Sequence, residues 1–436
     1  MLIFNKKYIK ESLKYLLRSS FFINKYVEEI DALYEMTPME LKMRNEKRFL
    51  EIFNKAFTSS AYYRNLCKSV GVTSIDDIKH IEDIVKLPIL TKDMLKKHGK
   101  ELLTCKEKGL IKNHTSGTTG TPLTVYQDWK SVWKEQAYFV CYRKRCGYNY
   151  GEPMVSLRGN LTRDEIYLKI HVSNTLFLSS YNINSKTAET YHRLIEKHHP
   201  KAIEGYPSSL YSLALVLKDK GLECHIPVAF TSSETLFDYQ RKLIEKIFHA
   251  QVYDHYGTTE RTIRLEESFD HNGYFEDPGY GIEEYYDDHI ISTSLINDVF
   301  PLIRYKTDDR IVLKEGINKS SQGFIDNAGG IERVVGRTDD ILVCKDDSMV
   351  TRVDFIEEGE HIKACQWIQN EKGKLEIRIA PDEGFSNKDV DFVVEETLKR
   401  CGHGNMDITT KVCSMDEMIY SKRGKFKLIV NNLQQK

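Results

Sequence analysis

The stretch from His114 to Pro122 has the least ordinary chemistry in the chain and reads HTSGTTGTP. It contains six consecutive small residues, each a glycine or a hydroxyl residue: Thr115, Ser116, Gly117, Thr118, Thr119 and Gly120. Such residues can present backbone N–H groups and hydroxyls to an anion, because glycine allows close approach. The GK[ST] ending of a Walker A loop is absent. By composition alone, a phosphate-binding loop and a plain turn between strands fit equally well.

Further segments of charged and hydroxyl residues follow this loop. They are 232–234 (SSE), 253–260 (YDHYGTTE), 304–309 (RYKTDD), 336–340 (GRTDD) and 421–427 (SKRGKFK). Taken alone, Glu260 is more typical of a surface carboxylate, and 421–427 of a basic, frayed tail. Their order over residues 115–425 resembles the signature motifs of the adenylate-forming superfamily, which includes acyl-CoA synthetases, peptide-synthetase adenylation domains and luciferases.

This resemblance implies that the chain binds ATP. It assigns nucleotide binding to the loop 115–120 and to seven later residues: Ser233, Glu234, Tyr256, Gly257, Thr258, Asp309 and Arg337. By the resemblance, the loop closes over the β- and γ-phosphates, Tyr256 flanks the adenine, and Asp309 accepts hydrogen bonds from the ribose hydroxyls. The backbone of 233–234 lines the adenine pocket, and Arg337 contacts ribose or phosphate.

The resemblance also implies catalytic roles for Thr259, Glu260 and Lys425. Thr259 hydrogen-bonds the α-phosphate. Glu260 ligates Mg²⁺, which is consistent with the preference of a hard cation for carboxylate oxygens. Lys425 is the adenylation lysine, whose charge offsets the charge that develops in the transition state. Asp339 is the hinge between a large and a small domain.

Segments 61–64 (AYYR), 87–93 (LPILTKD) and 204–210 (EGYPSSL) resemble the phenylacetate–CoA ligase branch, especially its CapK-like relatives in capsular polysaccharide biosynthesis. CoA ligases of this branch place a glycine-containing strand and loop after the hinge, whereas 344–352 (CKDDSMVTR) has no glycine. The acceptor therefore stays open between CoA and an amine or sugar. The acyl pocket is expected near Arg158, 179–181 and Tyr206.

Composition limits the partners. The 436 residues carry a formal net charge of −1, which disfavours nucleic acid as the main partner. No apolar run approaches the length of a transmembrane helix, and no secretory pattern is present at the start, so a cytoplasmic protein is expected. The nine cysteines include no CxxC, so a structural zinc site is not expected. A homodimer is expected by analogy alone.

The elements that must position these residues follow from periodicity. Mostly helical patterns run to residue 110, with Thr91 as an N-cap. Strands and helices alternate over 111–335 and predict parallel sheet. The apolar strand candidates are 153–157 (PMVSL), 201–206 (KAIEGY), 227–233 (PVAFTSS) and 250–257 (AQVYDHYG), and the helical candidates are 186–199, 207–220 and 235–248. The pattern of predicted strands and helices changes after Gly336, which indicates a second domain. We predict an α/β fold. A large N-terminal domain (1–336) has βαβ-built sheets and is followed by a small, mobile α+β domain (337–436).

The N-terminal segment 6–18 (KKYIKESLKYLLR) predicts an amphipathic helix with Ile9, Leu13, Leu16 and Leu17 on one face. It could lie on a membrane surface. We expect instead a helix packed on the domain, because such helices are common.

The resulting function is an AMP-forming ligase that activates a small carboxylic acid with ATP and Mg²⁺ and transfers the acyl group to CoA, an amine or a hydroxyl. Two alternatives remain at this point. One is an adenylyltransferase that leaves AMP on a cofactor or sugar, and the other is a binding protein that lost the reaction.

Overall fold

The computed structural model describes residues 6–18, 20–114, 123–157, 161, 165–287, 289–307, 309–335, 342–346, 349–350, 361–420 and 426–433. The chain forms two compact units. The first unit contains residues 1–151 and 253–334, and the second contains 152–252 and 335–436. The chain thus passes between the units at three places, one of them beside Gly336. The predicted domains 1–336 and 337–436 stay a prediction.

The described residues form the helices α1 (Lys6–Arg18), α2 (Ser20–Tyr34), α3 (Pro38–Ser59), α4 (Ala61–Ser69), α5 (Lys92–His98), α6 (Trp129–Arg145), α7 (Ala188–His198), α8 (Pro207–Asp219), α9 (Asp238–Phe248) and α10 (Asn387–Cys401).

The strands are β1 (Ile111–His114), β2 (Thr124–Gln127), β3 (Met154–Leu157), β4 (Tyr167–Ile170), β5 (Thr175–Leu178), β6 (Ala202–Gly205), β7 (Val228–Ser232), β8 (Gln251–Gly257), β9 (Arg264–Glu267), β10 (Tyr274–Glu276), β11 (Gly281–Tyr285), β12 (Ile290–Ser294), β13 (Tyr305–Thr307), β14 (Arg310–Leu313), β15 (Ile331–Val335), β16 (Leu342–Val343), β17 (Met349–Val350), β18 (Ile362–Glu371), β19 (Lys374–Pro381), β20 (Asp407–Val412) and β21 (Ile429–Asn431).

Helices α1 to α5 in the first unit confirm the helical pattern predicted up to residue 110. Helix α3 begins at a capping box, in which Thr37 and Glu40 each accept a backbone N–H of the other. Its apolar face is buried in the core of this unit through Phe49, Ile52 and Phe53. Thr91 caps α5 by accepting from the backbone N–H of Met94 at 3.3 Å, as predicted.

The sheets of the first unit are built mainly from antiparallel neighbours. Strands β14, β15, β10, β9 and β8 lie side by side in that order, and β11, β12 and β13 form a second sheet. The prediction of alternating strands and helices is wrong for residues 258–335, where the described part contains no α-helix. Short connections such as that between β9 and β10 favour antiparallel pairing, since a parallel crossover needs a longer segment.

The second unit contains the predicted parallel sheet. Strand β6 pairs in parallel with β3 and with β7, and β3 pairs in parallel with β5. Helices α7, α8 and α9 connect or follow these strands, and their apolar residues form one core cluster with the sheet. The strands are mostly apolar without alternation, because they are buried on both faces.

Residues 361–433 of the second unit form a small α+β arrangement. Strands β20, β19, β18 and β21 lie in that order, with β18 and β19 antiparallel and both outer pairs parallel. Helix α10 packs on this sheet, and Trp367 donates from Nε1 to Thr397 Oγ1 at 3.0 Å inside the core. The α/β fold class with a small α+β part is thus confirmed.

Helix α1 forms over the predicted residues, but its orientation differs from that of an ordinary packed helix. The residues turned toward the unit are Tyr8, Glu11, Ser12 and Tyr15, while the aliphatic residues are exposed. In the described part of the chain, no helix is long and apolar enough to cross a bilayer.

Glu276 on β10 generates a pH-dependent prediction. It accepts from the Tyr285 hydroxyl at 2.8 Å, and burial raises the pKa of its carboxyl from 4.5 to about 7. Because the folded state holds this proton more tightly, the associated stability is complete below pH 4.5 and is lost as the pH rises through about 7. We expect Glu276→Gln to reduce the fall in melting temperature between pH 5 and pH 8, measured by circular dichroism.

The matched control is Glu332→Gln, because the Glu332 side chain is exposed on β15. This control should keep the wild-type pH dependence. An unchanged pH dependence in Glu276→Gln would contradict the raised pKa.

Candidate nucleotide site

The carboxyl end of β8 carries the segment YGTTE. Tyr256 on this strand pairs with Leu265 of β9, and its side chain is half-buried. The Tyr256 hydroxyl donates to Asp309 Oδ2 at 2.6 Å. Asp309, itself buried, lies between β13 and β14. Two residues that the motifs assign to adenine and ribose, 53 positions apart, are therefore in direct contact.

A second hydrogen bond joins the same two segments. The Tyr305 hydroxyl of β13 donates to Glu260 Oε1 at 3.2 Å, and the Glu260 side chain is buried. Sequence reasoning did not assign a role to Tyr305, although it lies inside the RYKTDD segment. Tyr305 fixes one oxygen of the carboxylate that was predicted to ligate Mg²⁺.

The residues between Tyr256 and Glu260 differ in accessibility. Gly257 and Thr259 are exposed, and Thr258 is half-buried. Thr258 Oγ1 is buried and has no hydrogen-bond partner among the described residues. A buried hydroxyl without a partner is costly, so Oγ1 is available to a ligand's polar atom. Thr259, by contrast, presents its side chain to solvent.

Arg304 anchors this arrangement. Its guanidinium makes two hydrogen bonds to Glu284, from Nε at 2.9 Å and from Nη2 at 2.7 Å. Nη1 donates to the carbonyls of Val85 and Leu87. Leu90 then forms backbone bonds on both sides of Tyr305, with the Arg304 carbonyl and the Lys306 N–H. The arginine of the RYKTDD segment is thus structural, and it places Tyr305 opposite Glu260.

A buried network of charged residues involves the segment that follows Glu260. Arg264 is almost fully buried and donates to Glu266 and Asp277, with Nε at 2.7 Å from each carboxylate. Glu135 lies 3.7 Å from Arg264 and 3.8 Å from Arg261. Burial, and then the charge of Asp277, raises the pKa of Glu266 well above its usual range. The segment after Glu260 is therefore held at Arg264 by its contacts with buried carboxyl groups.

The second unit holds the other predicted adenine-pocket residues. Ser233 follows β7 with a left-handed φ of 71°, which turns the chain sharply at the strand end. Glu234 Oε2 accepts from the backbone N–H of Ser208 at 3.0 Å, at the start of α8. A carboxylate is favourable at a helix N-terminus, where backbone N–H groups lack partners within the helix.

The chain on either side of residues 421–425 is placed in the second unit. Tyr420 and Phe426 form an antiparallel bridge, and their rings contact edge to face at 5.7 Å. Phe426 N donates to Ser208 Oγ at 3.4 Å, next to Glu234. Burial, followed by the charges of Asp416 and Glu234, raises the pKa of Tyr420 to about 12. The residue after Lys425 thus lies beside the start of α8.

Gln366 on β18 forms hydrogen bonds with the chain on both sides of residues 421–425. Its Nε2 donates to the carbonyls of Ile419 at 2.9 Å and Lys427 at 2.6 Å, and its Oε1 accepts from Ile419 N at 2.9 Å. Gln366 is fully buried. Sequence reasoning missed it, and the available signal was an amide inside the apolar strand KACQWIQ.

Several predicted residues lie outside the described ranges: Thr115, Ser116, Gly117, Thr118, Thr119, Gly120, Arg158, Arg337, Asp339 and Lys425. The loop 115–122 follows β1 and precedes β2, which pair antiparallel through His114 and Thr124. In the sequence, this segment therefore connects two paired strands of the first unit. Its role in phosphate binding stays a prediction.

The expected acyl-pocket and acceptor segments are partly described, all in the second unit. Ser179 is buried, and its carbonyl accepts from the Tyr191 hydroxyl at 2.8 Å. Ser180 Oγ is buried with no partner among the described residues. Lys345, between β16 and β17, pairs with Asp407 at 2.6 Å and thus contacts the small α+β arrangement.

A His–Glu–Cys cluster that spacing rules did not identify lies on the second unit. One ligating atom from each of His192, Glu196 and Cys224 lies within 4.8 Å of the others. The signal in the sequence was the spacing of four between His192 and Glu196 on α7. Burial raises the pKa of the Cys224 thiol to about 12, so a metal ion would have to displace its proton.

Comparison with known proteins agrees with the motif resemblance. Residues 342–432 match the family described as the CapK C-terminal domain. The chain is 26% identical over 366 residues to Protein CapK of Staphylococcus aureus, and the match covers 79% of each protein.

Two solved structures with this fold are those of a 2-hydroxyisobutyryl-CoA ligase. The structure in the postadenylation state, in complex with R3-HIB-AMP, has a TM-score of 0.69 at 15% identity and covers 92% of this chain and 91% of its own. The structure in complex with 2-HIB-AMP and CoA, in the thioesterification state, has a TM-score of 0.54 at 14% identity with the same coverage. The predicted resemblance to the CapK-like branch of the adenylate-forming fold is confirmed.

The Tyr256–Asp309 contact predicts a measurable coupling. We expect Tyr256→Phe and Asp309→Asn each to destabilise the folded protein, and the double variant to lose less than the sum. The coupling should be about 1 kcal/mol, the usual net value of a hydrogen bond. Urea denaturation of the four proteins measures it. Strict additivity would show that the two side chains do not interact in solution.

Proposed function

We propose that this chain, which is similar to CapK and has the fold of the adenylate-forming ligases, is an ATP-dependent, AMP-forming ligase that activates a carboxylic acid as an acyl adenylate. The observation that carries the proposal is the pair of hydrogen bonds that joins Tyr256 to Asp309 and Glu260 to Tyr305. Both bonds join the segment 256–260 to the segment that contains Tyr305 and Asp309, so the residues assigned by motif to adenine, ribose and metal lie on two contacting segments of the first unit.

The first unit would bind the nucleotide through these groups. Asp309 offers a carboxylate to the ribose hydroxyls, and Tyr256 holds that carboxylate in place through Oδ2. The exposed hydroxyl of Thr259 is accessible to an α-phosphate oxygen. Thr258 Oγ1 is a second hydroxyl that a ligand could satisfy.

Glu260 fits a magnesium ion by the chemistry of its donor set. It is a buried carboxylate with one oxygen oriented by Tyr305 and with hydroxyl residues beside it in the chain. Mg²⁺ is usually bound by one or two carboxylates together with substrate phosphates. When bound, the ion would offset charge on the phosphate oxygens.

In the proposed reaction, a carboxylate oxygen of the acid attacks the α-phosphorus of ATP. The bond from that phosphorus to the bridging oxygen breaks, and pyrophosphate leaves. Lys425 would offset the negative charge shared by the attacking carboxylate and the α-phosphate oxygens. Phe426, Ser208 and Gln366 hold described residues on both sides of the segment 421–425, which contains this lysine in the sequence.

The acceptor remains CoA, an amine or a hydroxyl such as that of a sugar. The solved ligase with this fold has been captured in complex with 2-HIB-AMP and CoA. After the predicted hinge this chain instead has the antiparallel strands β16 and β17, and residues 344–352 contain no glycine. The similarity to CapK supports a role in capsular or surface polysaccharide biosynthesis.

The proposal predicts ATP–pyrophosphate exchange that depends on an acid. A panel of aryl, fatty, amino and sugar acids would be tested with Mg²⁺. Exchange with one class establishes adenylation and identifies the acid. Nucleotide binding without exchange for any acid would contradict the ligase, and a stable adenylylated product would indicate an adenylyltransferase.

Lys425→Ala should reduce exchange by at least about 100-fold, the usual effect of removing one electrostatic stabiliser of a transition state. ATP affinity, measured by calorimetry, should change little. Lys427→Ala is the matched control, because Lys427 is also a lysine and lies two residues further along the chain. Equal rates in Lys425→Ala and Lys427→Ala would remove the catalytic role from Lys425.

Glu260→Gln should raise the Mg²⁺ concentration that gives half-maximal exchange. Tyr305→Phe should do the same to a smaller extent, about 10-fold, because it removes the hydroxyl that orients the carboxylate. The exposed Glu332→Gln serves as the control. A Mg²⁺ dependence unaffected by Glu260→Gln would exclude Glu260 as a metal ligand.

A further inference from the structure

Helix α1 packs on the first unit with its polar and aromatic face. Ser12 is buried, and the Tyr15 ring stacks on Tyr150 with centroids 5.4 Å apart. Trp133 Nε1 donates to the Leu17 carbonyl at 2.8 Å and holds the end of the helix. The helix is therefore attached to the unit without the use of its aliphatic side chains.

The aliphatic face points to solvent. The exposed fractions are 39% for Ile9, 53% for Leu13, 50% for Leu16 and 43% for Leu17. Phe21, near the start of α2, is 87% exposed and follows α1 in the chain. Isolated exposed apolar residues are ordinary, but a helix normally turns such a stripe toward the core. We call these five residues the apolar face.

Basic residues border the apolar face. Lys6, Lys10 and Lys14 are exposed, and the helix also carries Lys7 and Arg18. Five basic residues against the single acid Glu11 give α1 a net charge of +4, although the whole chain carries −1. Positive charge is thus concentrated around the exposed leucines.

We propose that α1 and Phe21 dock on a phospholipid bilayer with anionic headgroups, with the apolar face in the headgroup region and the lysines against lipid phosphates. Exposed Leu and Phe combined with Lys are typical of helices that lie in the membrane interface. A second copy of this chain is a less favourable partner for the apolar face than a bilayer, because two α1 helices that each carry a net charge of +4 would repel each other. This inference goes beyond the proposed ligase activity and does not depend on it.

The experiment is flotation of the full chain with two kinds of vesicle, phosphatidylcholine alone and phosphatidylcholine containing phosphatidylglycerol. The wild-type protein should float with the anionic vesicles and much less with the neutral ones. Binding should weaken with added salt, because salt screens exposed charges.

Two variants separate the apolar and electrostatic contributions. Leu13→Glu with Leu16→Glu should abolish flotation. Lys6→Glu with Lys10→Glu should weaken binding to anionic vesicles by more than about 10-fold, since each basic residue contributes about a factor of five near such a surface. The matched control is Val172→Glu with Val412→Glu, two valines that are 45% and 50% exposed outside α1. This control should float like the wild type.

Two results would overturn the proposal. One is flotation of Leu13→Glu/Leu16→Glu equal to that of the wild type. The other is the absence of wild-type flotation together with a dimer in sedimentation equilibrium that this variant dissociates. The second result would assign the apolar face to contacts between copies of the chain.

Discussion

The buried pair of Arg304 and Glu284 is the interaction on which the candidate site depends. Arg304 has a left-handed backbone φ of 51°, and its guanidinium donates to one carboxylate and to two carbonyls of the segment before α5. Removing one partner of such a pair would leave a buried charge without compensation, at a cost of about 3–5 kcal/mol. Because Tyr305 and Asp309 follow Arg304 in the chain, this anchor decides where they meet Glu260 and Tyr256.

The second unit uses hydrogen bonds to the backbone for a comparable purpose. Gln366 forms hydrogen bonds with the chain on both sides of residues 421–425. Ser208, at the start of α8, accepts from Phe426 N through its hydroxyl and donates its own backbone N–H to Glu234. A buried amide that satisfies three backbone groups is expensive to misplace, since any lost partner leaves a desolvated polar atom. The chain on either side of residues 421–425 is thereby held next to the start of α8.

The features predictable from the sequence were those governed by local pattern. Apolar runs followed by helical periods identified β3, β6, β7 and β8 with α7 to α9, and Thr91 signalled the start of α5. Motif order identified Tyr256, Glu260 and Asp309, and the structure joins Tyr256 to Asp309 and Glu260 to Tyr305 by two separate hydrogen bonds. The family resemblance followed from the same segments.

The features that could not be predicted depend on contacts far apart in sequence. The antiparallel part after Gly257 follows from strand pairing that no local period specifies. The roles of Arg304 and Gln366 depend on carbonyls 217 and 61 positions away. The outward orientation of Leu13 and Leu16 depends on which face of α1 packs against Tyr150. An amphipathic pattern alone does not determine which face that is.

A crystal structure of the protein with ATP and Mg²⁺ tests the central claim most directly. The account predicts the ribose hydroxyls on Asp309, the adenine beside Tyr256 and the metal ion on Glu260. A nucleotide bound elsewhere, with Glu260 and Asp309 contacting no part of it, would contradict the assignment of these residues to the nucleotide site.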